Sequence, residues 1–199
     1  MCLTKPGLEM FVEALLTSTA VVALAEIGDK TQLLAIVLAT RFKKPVPIIL
    51  GILGATILNH FFAALIGSQV ANLLDGYWFR VAVAASFVIM GLWTLIPDKF
   101  DDDELKSTGT RGAFLTTLIA FFFVEMGDKT QIATIALGAR FHDVIPVTTG
   151  TTLGMMLANV PAVFLGSALI RVVPLNIVRM IAAGLFVAIG GWMFWTLFA

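Results

Sequence analysis

The sequence predicts an all-α membrane protein with six transmembrane helices, arranged as two inverted-topology repeats of three helices each. Composition is the first reason: 59% of the 199 residues are hydrophobic and 13% are charged, whereas soluble domains carry about 25% charged residues. Length is the second, because a transmembrane helix needs about 20 apolar residues, so that about six spans fill the chain. The third is an internal repeat, in which the first half of the chain recurs in the second.

The same composition excludes several classes of protein. Lys plus Arg and Asp plus Glu both number 13, so the net charge is zero and the overall charge does not favour nucleic-acid binding. The high hydrophobic content excludes a disordered chain. A single cysteine, Cys2, excludes a disulfide framework and a cysteine-based zinc or iron–sulfur site.

Three apolar segments occupy the first half of the chain. The first covers about residues 8–40 and ends at a cationic stretch, 41–44. It is longer than the apolar region of about 7–15 residues in a signal peptide and it contains an acidic motif, so we expect it to be retained. The second segment covers about residues 46–74, and the third covers about 77–96 and ends at Pro97.

Three more apolar segments occupy the second half, at about residues 112–139, 145–170 and 176–199. The long hydrophilic stretch between the halves carries five acidic residues. We interpret it as a solvated linker; an alternative is that its acidic side chains concentrate cations near a pore mouth. The predicted units are a first three-helix repeat at 1–97, an acidic linker at 98–111 and a second three-helix repeat at 112–199.

Lysine and arginine residues in the loops predict the orientation of the chain, because these residues are enriched in cytoplasmic loops. One side of the membrane receives both termini and carries three of them: Lys5, Arg80 and Arg140. The other side carries eight: Arg41, Lys43, Lys44, Lys99, Lys106, Arg111, Arg171 and Arg179. We therefore expect the acidic linker in the cytoplasm and both termini outside.

The internal repeat is clearest in an acidic motif. Residues 26–32 read Glu-Ile-Gly-Asp-Lys-Thr-Gln, and residues 125–131 read Glu-Met-Gly-Asp-Lys-Thr-Gln, an offset of 99. Further matches at an offset of 99 or 100 cover most of both halves and include Asn59 with Asn159. Because each half contains an odd number of predicted spans, the second copy enters the membrane from the opposite side, as in many secondary transporters.

The two motifs place charged side chains inside apolar segments. Each motif is followed by eight further residues of its segment, or about 12 Å at a helical rise of about 1.5 Å per residue. That depth lies within the hydrocarbon, where charged groups are costly, face the interior of the helix bundle and commonly mark an ion pathway.

Helical spacing relates the motif residues to one another. On a continuous helix Glu26, Asp29 and Lys30 share one face, whereas Thr31 points away from it. Because glycine weakens a helix, Gly28 leaves open a local unwinding that exposes backbone carbonyls as further ligands. The second motif repeats this pattern with Glu125, Gly127, Asp128, Lys129, Thr130 and Gln131.

Charge indicates the kind of ligand. Four motif carboxylates and two lysines leave a net charge of −2, which one divalent cation or two protons would neutralise. Carboxylate, amide and hydroxyl oxygens suit Mg²⁺, Ca²⁺ or Mn²⁺. The predicted metal ligands are the motif residues Glu26, Asp29, Thr31, Gln32, Glu125, Asp128, Thr130 and Gln131, together with the amides of Asn59 and Asn159.

Several alternatives stay open for the individual residues. A buried glutamate–lysine pair can simply fix the register of neighbouring helices, although two such copies with a net negative charge favour a site. Lys30 and Lys129 either hold the carboxylates in place or move away during transport. Asn59 and Asn159 either bind the ion or form interhelical hydrogen bonds. His60 is interpreted as a packed polar residue, since the second half has a valine in its place.

The doubled Glu-x-Gly-Asp-Lys-Thr motif in a chain of six predicted spans resembles uncharacterised protein family 0016. This family is also called the Gdt family and includes the Golgi transmembrane protein 165 and bacterial manganese exporters. The resemblance covers the whole chain, and both motifs are intact. It implies transport of Mn²⁺ and Ca²⁺ in exchange for protons, and functional roles for Gly28, Lys30, Gly127 and Lys129 beside the acidic and threonine residues.

The function expected from these observations is secondary transport of a divalent cation in exchange for protons: export of Mn²⁺ from the cytoplasm, with transport of Ca²⁺ as the alternative. We expect a non-enzymatic protein of a bacterial inner membrane, without a resident cofactor, that binds the transported ion transiently. Divalent cations, protons and lipid are the expected partners, nucleic acid is not, and a homo-oligomer is left open. The alternatives are a passive cation channel and a structural membrane subunit.

Overall fold

The computed structural model describes residues 5–74, 76–96, 112–166 and 174–198, and the described chain is helical without a strand. The predicted linker 98–111 lies outside the described residues. Eight helices follow in chain order: α1 (Lys5–Glu26), α2 (Lys30–Phe42), α3 (Pro45–Leu73), α4 (Tyr77–Thr94), α5 (Ala113–Glu125), α6 (Lys129–Phe141), α7 (Val144–Leu165) and α8 (Leu175–Phe198).

Four of the six predicted apolar segments form single helices, namely α3, α4, α7 and α8. The first and fourth segments are each divided in two at the acidic motif. α1 ends at Glu26 and α2 begins at Lys30, whereas α5 ends at Glu125 and α6 begins at Lys129. The prediction of a continuous helical face across the motif is therefore wrong. The structure instead contains the local unwinding that was the alternative at Gly28.

Five of the described helices are long and apolar enough to cross a membrane: Gly7–Glu26 within α1, and the whole of α3, α4, α7 and α8. α5 is apolar but has 13 residues, and α2 and α6 also have 13 residues each. A helix of that length spans about 20 Å, less than the hydrocarbon thickness of about 30 Å. The three short helices therefore do not cross a bilayer by themselves.

The helices of the two halves pack crosswise. α1 lies along α7, and α5 lies along α3. A methyl group on Gly51 of α3 would lie 2.8 Å from the backbone oxygen of Phe114 in α5. The same group on Gly150 of α7 would lie 2.4 Å from the backbone oxygen of Leu15 in α1. Both the glycines and their partners are 99 positions apart, so one interface is built twice.

A second glycine pair joins α4 to α8. A methyl group on Gly91 would lie 2.9 Å from the backbone oxygen of Ala183, and one on Gly190 would lie 2.8 Å from the backbone oxygen of Ala84. These residues also match at an offset of 99. Small residues allow transmembrane helices to approach at their backbones, and the repeat supplies them at equivalent places in both halves.

We expect Gly150→Ala to destabilise the protein by about 1–3 kcal/mol, the usual cost of overpacking, because α1 and α7 must move apart to accept the methyl group. Gly184→Ala is the matched control, since no described atom lies within 4 Å of the methyl group that it would add to α8. Thermal unfolding in detergent measures both variants. A wild-type melting temperature for Gly150→Ala would contradict close packing of α1 on α7.

Candidate cation site

Each acidic motif forms a break between two helices. In the first break Gly28 has φ +82°, and in the second Gly127 has φ +75°, a backbone region that glycine adopts without the steric cost of a side chain. Asp29 and Asp128 follow in extended conformation and are the residues that precede α2 and α6. The motif glycines therefore turn the chain, and the motif aspartates stand at the start of the new helix.

The motif glutamines close the breaks. The backbone nitrogen of Gly28 donates to Gln32 Oε1 at 3.0 Å, and that of Gly127 donates to Gln131 Oε1 at 2.7 Å. Gln32 Nε2 also donates to the backbone oxygen of Ala158 in α7 at 3.0 Å. Both glutamine oxygens thus stabilise an unwound turn in this structure, while their role as metal ligands stays a prediction.

The two breaks meet inside the protein. Glu26 and Glu125 are 0% exposed, and Asp29 and Asp128 are 6% and 5% exposed. One carboxylate oxygen from each of Glu26, Asp29 and Asp128 lies within 4.8 Å of the others. Glu125 is close enough for its charge to interact with those of Glu26 and Asp128. We call these four carboxylates, which come from both halves of the chain, the acidic cluster.

Each glutamate of the acidic cluster has a threonine beside it. The Thr31 hydroxyl donates to Glu26 Oε2, although a continuous helix would turn Thr31 away from the other motif residues. Glu125 Oε1 accepts from the Thr56 hydroxyl of α3 at 3.3 Å. Sequence reasoning missed Thr56, and its position three residues before Asn59 is the signal that was available, since residues three apart share a helix face.

The two asparagines lie beside the acidic cluster. Asn59 of α3 donates to Glu125 Oε2 at 3.3 Å and to the backbone oxygen of Phe122 at 3.1 Å. Asn159 of α7 faces the Glu26 carboxyl group, as does Thr130. Each asparagine therefore lies beside the glutamate of the opposite half, which follows from the crosswise packing of α1 on α7 and α5 on α3.

The two motif lysines have different surroundings. Lys30 Nζ lies 3.5 Å from Asp128 Oδ1, an ion pair between the two motifs. Lys129 Nζ donates to the backbone oxygen of Ile96 at 2.9 Å and lies 5.9 Å from the centre of the Trp93 ring. Lys30 thus compensates part of the negative charge of the opposite motif, whereas Lys129 also anchors the end of α4.

Space beside the acidic cluster is small. Asp29 and Lys129 line a cavity of about 10 Å³ together with Gly28 and Arg179, and a volume of about 10–15 Å³ is what one water molecule requires. Arg179 also donates to the backbone oxygen of Gly28 at 3.4 Å. A cation at the cluster would therefore be held largely by protein oxygens rather than by a full hydration shell.

The donor set of the acidic cluster fits a divalent cation. Four carboxylates and the two motif lysines leave a net charge of −2. Among the described residues no hydrogen bond reaches Glu26 Oε1 or Asn159 Oδ1, although both atoms are buried. Both kinds of helix end meet at the cluster: the negative C-terminal ends of α1 and α5 favour a cation, whereas the positive N-terminal ends of α2 and α6 favour the carboxylates of Asp29 and Asp128. A hard divalent ion such as Ca²⁺ takes about six to eight oxygen ligands, and the side chains of the cluster are a source of such oxygens.

The sequence matches the family model described as "Divalent cation/proton antiporter GDT1" over residues 14–102 and 113–199. It is 50% identical to the protein named "Putative manganese exporter" of Vibrio cholerae serotype O1, over 89% of this chain and 88% of that protein. It is 30% identical to GDT1-like protein 5 of Arabidopsis thaliana, over 87% of this chain and 91% of the relative. No solved structure matches it.

Proposed function

Because the chain belongs to the GDT1 family of divalent cation/proton antiporters, we propose that it exports Mn²⁺ from the cytoplasm in exchange for protons at the acidic cluster. The observation that carries the proposal is the meeting of both motifs, with carboxylate oxygens of Glu26, Asp29 and Asp128 within 4.8 Å of one another. Two motifs 99 positions apart in the sequence thus contribute to a single buried site.

Exchange follows from the net charge of −2 that the four carboxylates and the two motif lysines carry together. This sum leaves out Arg179, which donates to the backbone oxygen of Gly28. One divalent cation neutralises a net charge of −2, and so do two protons, but both together would leave the buried site with a charge of +2. Since uncompensated charge is costly in the membrane interior, loading with the cation and loading with protons exclude each other. Metal binding that releases protons is the thermodynamic basis of such coupling.

The name of the relative from Vibrio cholerae supports Mn²⁺ as the cargo. Carboxylate, hydroxyl and amide oxygens suit Mn²⁺ as well as Ca²⁺, so the oxygens of the cluster alone do not discriminate. In the proposed site Glu26, Asp29, Glu125 and Asp128 bind the ion and accept the protons. Asn59 of α3 and Asn159 of α7 add amide oxygens to the proposed site, and Thr31 and Thr130 of the motifs add hydroxyl oxygens.

The proposed site lies near the midplane of the membrane, between two inverted repeats of three spans each. In our proposal α1 with α2 forms one broken span, and α5 with α6 forms another. Two observations support it: α2 and α6 are too short to cross alone, and the glycine interfaces recur at an offset of 99. Units 1–97 and 112–199 then form the repeats, joined by the cytoplasmic linker 98–111.

The bias of eight cationic residues against three supports an orientation with both termini outside, in a bacterial inner membrane. In this orientation α2 runs from the acidic cluster toward the cytoplasm, and α6 runs from it toward the exterior. Transport then requires that the packing of one half against the other opens the cluster to each side in turn, as in other transporters with broken helices.

Reconstitution into proteoliposomes tests the proposed function. We expect an imposed pH gradient to drive Mn²⁺ against its own concentration gradient, with proton movement in the opposite direction recorded by a trapped dye. Ca²⁺ and Mg²⁺ serve as comparison ions under the same gradient. Mn²⁺ flux that only follows its own concentration gradient, whatever the pH difference, would identify a passive channel and overturn the proposal.

A further inference from the structure

We propose that the thioether of Met155 is a specificity-determining group that makes the acidic cluster prefer Mn²⁺ over Ca²⁺ and Mg²⁺. This inference rests on the proposed function and adds a sulfur atom to a site otherwise built from oxygens. It follows from the position of Met155 beside Asn159, from the absence of a sulfur at the equivalent place in the other half, and from the different affinities of these ions for sulfur.

Met155 lies on α7, one turn before Asn159, and is 0% exposed. Its sulfur lies 2.9 Å from Asn159 Nδ2, which also donates to the backbone oxygen of Met155 at 3.1 Å. The Asn159 amide faces the Glu26 carboxyl group. The Asn159 amide thus lies between the sulfur and the Glu26 carboxyl group, and our proposal is that the sulfur reaches an ion bound beside that carboxyl group.

The buried oxygens next to the sulfur point to a ligand. Asn159 is 0% exposed, and its Oδ1 atom accepts no hydrogen bond from any residue in the described part of the chain. The same is true of Glu26 Oε1. An unsatisfied buried acceptor is costly, and a bound cation would satisfy such oxygens.

The other half of the chain has no sulfur at this place. At the offset of 100 that relates Asn159 to Asn59, Met155 corresponds to Ala55 and Met156 corresponds to Thr56. Thr56 donates its hydroxyl hydrogen to Glu125, so the described surroundings of Glu125 in α3 are oxygen and nitrogen atoms. The equivalent positions of α3 and α7 are therefore chemically asymmetric, because α7 has a thioether at residue 155 and α3 has a methyl group at residue 55.

Core packing alone does not account for Met155. Methionine often fills irregular gaps between apolar side chains, and the neighbouring Met156 does so, since it packs against an apolar cluster that includes Phe121 and Ala162. The sulfur of Met155 instead contacts a polar amide that faces the acidic cluster. The two adjacent methionines thus provide a test residue and its natural control.

The chemistry of the ions explains the preference. Ca²⁺ and Mg²⁺ are hard ions that take oxygen ligands, and Mg²⁺ gives up its water reluctantly. Mn²⁺ also accepts oxygen ligands. Because its d orbitals are partly filled, it bonds more covalently to a polarisable sulfur than Ca²⁺ or Mg²⁺ does. The methionine side chain has three rotatable bonds, so its sulfur can turn from Asn159 to a bound ion while α7 stays in place.

The test is Met155→Leu, which keeps the volume of the side chain and removes the sulfur. We expect the ratio of Mn²⁺ to Ca²⁺ affinity to fall about tenfold, the lower range for loss of a supporting metal contact, mainly through weaker Mn²⁺ binding. Met156→Leu should leave the ratio at its wild-type value. Competition between Mn²⁺ and Ca²⁺ in proteoliposomes measures the ratio for all three proteins.

X-ray absorption of Mn²⁺ bound to the detergent-solubilised protein provides a readout that is independent of transport. The wild-type spectrum is also independent of whether any variant folds. We expect a sulfur scatterer in the first coordination sphere of wild type and of Met156→Leu, and none in Met155→Leu. A wild-type spectrum with oxygen and nitrogen scatterers alone would overturn the role of Met155. So would an unchanged Mn²⁺ to Ca²⁺ ratio in Met155→Leu.

The two proposals fail in different ways. Wild-type protein that binds Mn²⁺ with a sulfur ligand but shows no proton-coupled flux would overturn the proposed function and retain the sulfur contact. Wild-type protein with proton-coupled Mn²⁺ flux, and with the same ion preference in Met155→Leu, would retain the function and overturn this inference. Wild-type protein that binds no Mn²⁺ at all would overturn both.

Discussion

Glu125→Gln is expected to abolish Mn²⁺/proton exchange while leaving the fold intact. Glutamine has the shape of glutamate: its one oxygen can accept from Asn59, and its amide nitrogen can donate to the Thr56 hydroxyl oxygen, the two groups that lie 3.3 Å from the carboxylate oxygens. It removes one negative charge, however, so the three remaining carboxylates and the two motif lysines carry a net charge of −1 and no longer balance a divalent cation. It also removes a carboxylate that accepts a proton during exchange.

We expect the initial rate of Mn²⁺ transport under a pH gradient to fall at least about 100-fold, the upper range for loss of metal affinity after changes near a site. Glu9→Gln is the matched control, because Glu9 is an exposed residue near the start of α1 and lies outside the acidic cluster. Proteoliposome transport with a trapped proton-sensitive dye measures all three proteins. Exchange at the wild-type rate in Glu125→Gln would remove Glu125 from the proposed site.

Lys30→Met is expected to destabilise the protein strongly in the absence of metal and to make its stability depend on Mn²⁺. Lys30 Nζ lies 3.5 Å from Asp128 Oδ1, and the two side chains are 20% and 4% exposed. Its removal takes the net charge of the motifs from −2 to −3 in a buried site. Removal of one partner from a buried ion pair costs about 3–5 kcal/mol, and the partial exposure of Lys30 favours the lower end.

A bound Mn²⁺ ion supplies the positive charge that Lys30→Met removes, so added Mn²⁺ should raise the melting temperature of the variant more than that of wild type. Lys44→Met is the control, since Lys44 is exposed before α3, and Lys30→Arg keeps the charge. Thermal unfolding with and without Mn²⁺ measures all four proteins. Equal Mn²⁺ stabilisation of Lys30→Met and wild type would show that Lys30 does not compensate the charge at the ion site.

The lengths of the apolar segments allowed α3, α4, α7 and α8 to be predicted as single helices, because each is an uninterrupted apolar run between polar or glycine- and proline-containing breaks. The first and fourth segments are less apolar after their motifs than before them, but neither has a proline or a polar loop there that would predict a break. Their division depends on a single glycine in each, Gly28 and Gly127, with φ +82° and +75°. The pattern of hydrophobic residues does not predict such a break, since one residue of positive φ redirects a helix without changing the composition of the segment.

The division of these helices also explains why helical spacing predicted the wrong position for Thr31. Spacing rules for side chains hold only along a continuous helix. They placed Thr31 on the wrong side, whereas the unwound turn directs its hydroxyl to Glu26. Thr56 was missed because its importance depends on a contact with Glu125, which is distant in sequence.

The sequence by itself determined that this is a helical membrane protein with two acidic motifs inside its apolar segments, because a charged side chain in hydrocarbon is costly and stands out against its surroundings. Only the tertiary structure decided that the two motifs form one cluster and that Lys30 pairs with Asp128. Those facts depend on how α1 packs on α7 and α5 on α3, which is set by backbone contacts at glycines and by turns within the motifs, not by the order of residues within any one helix.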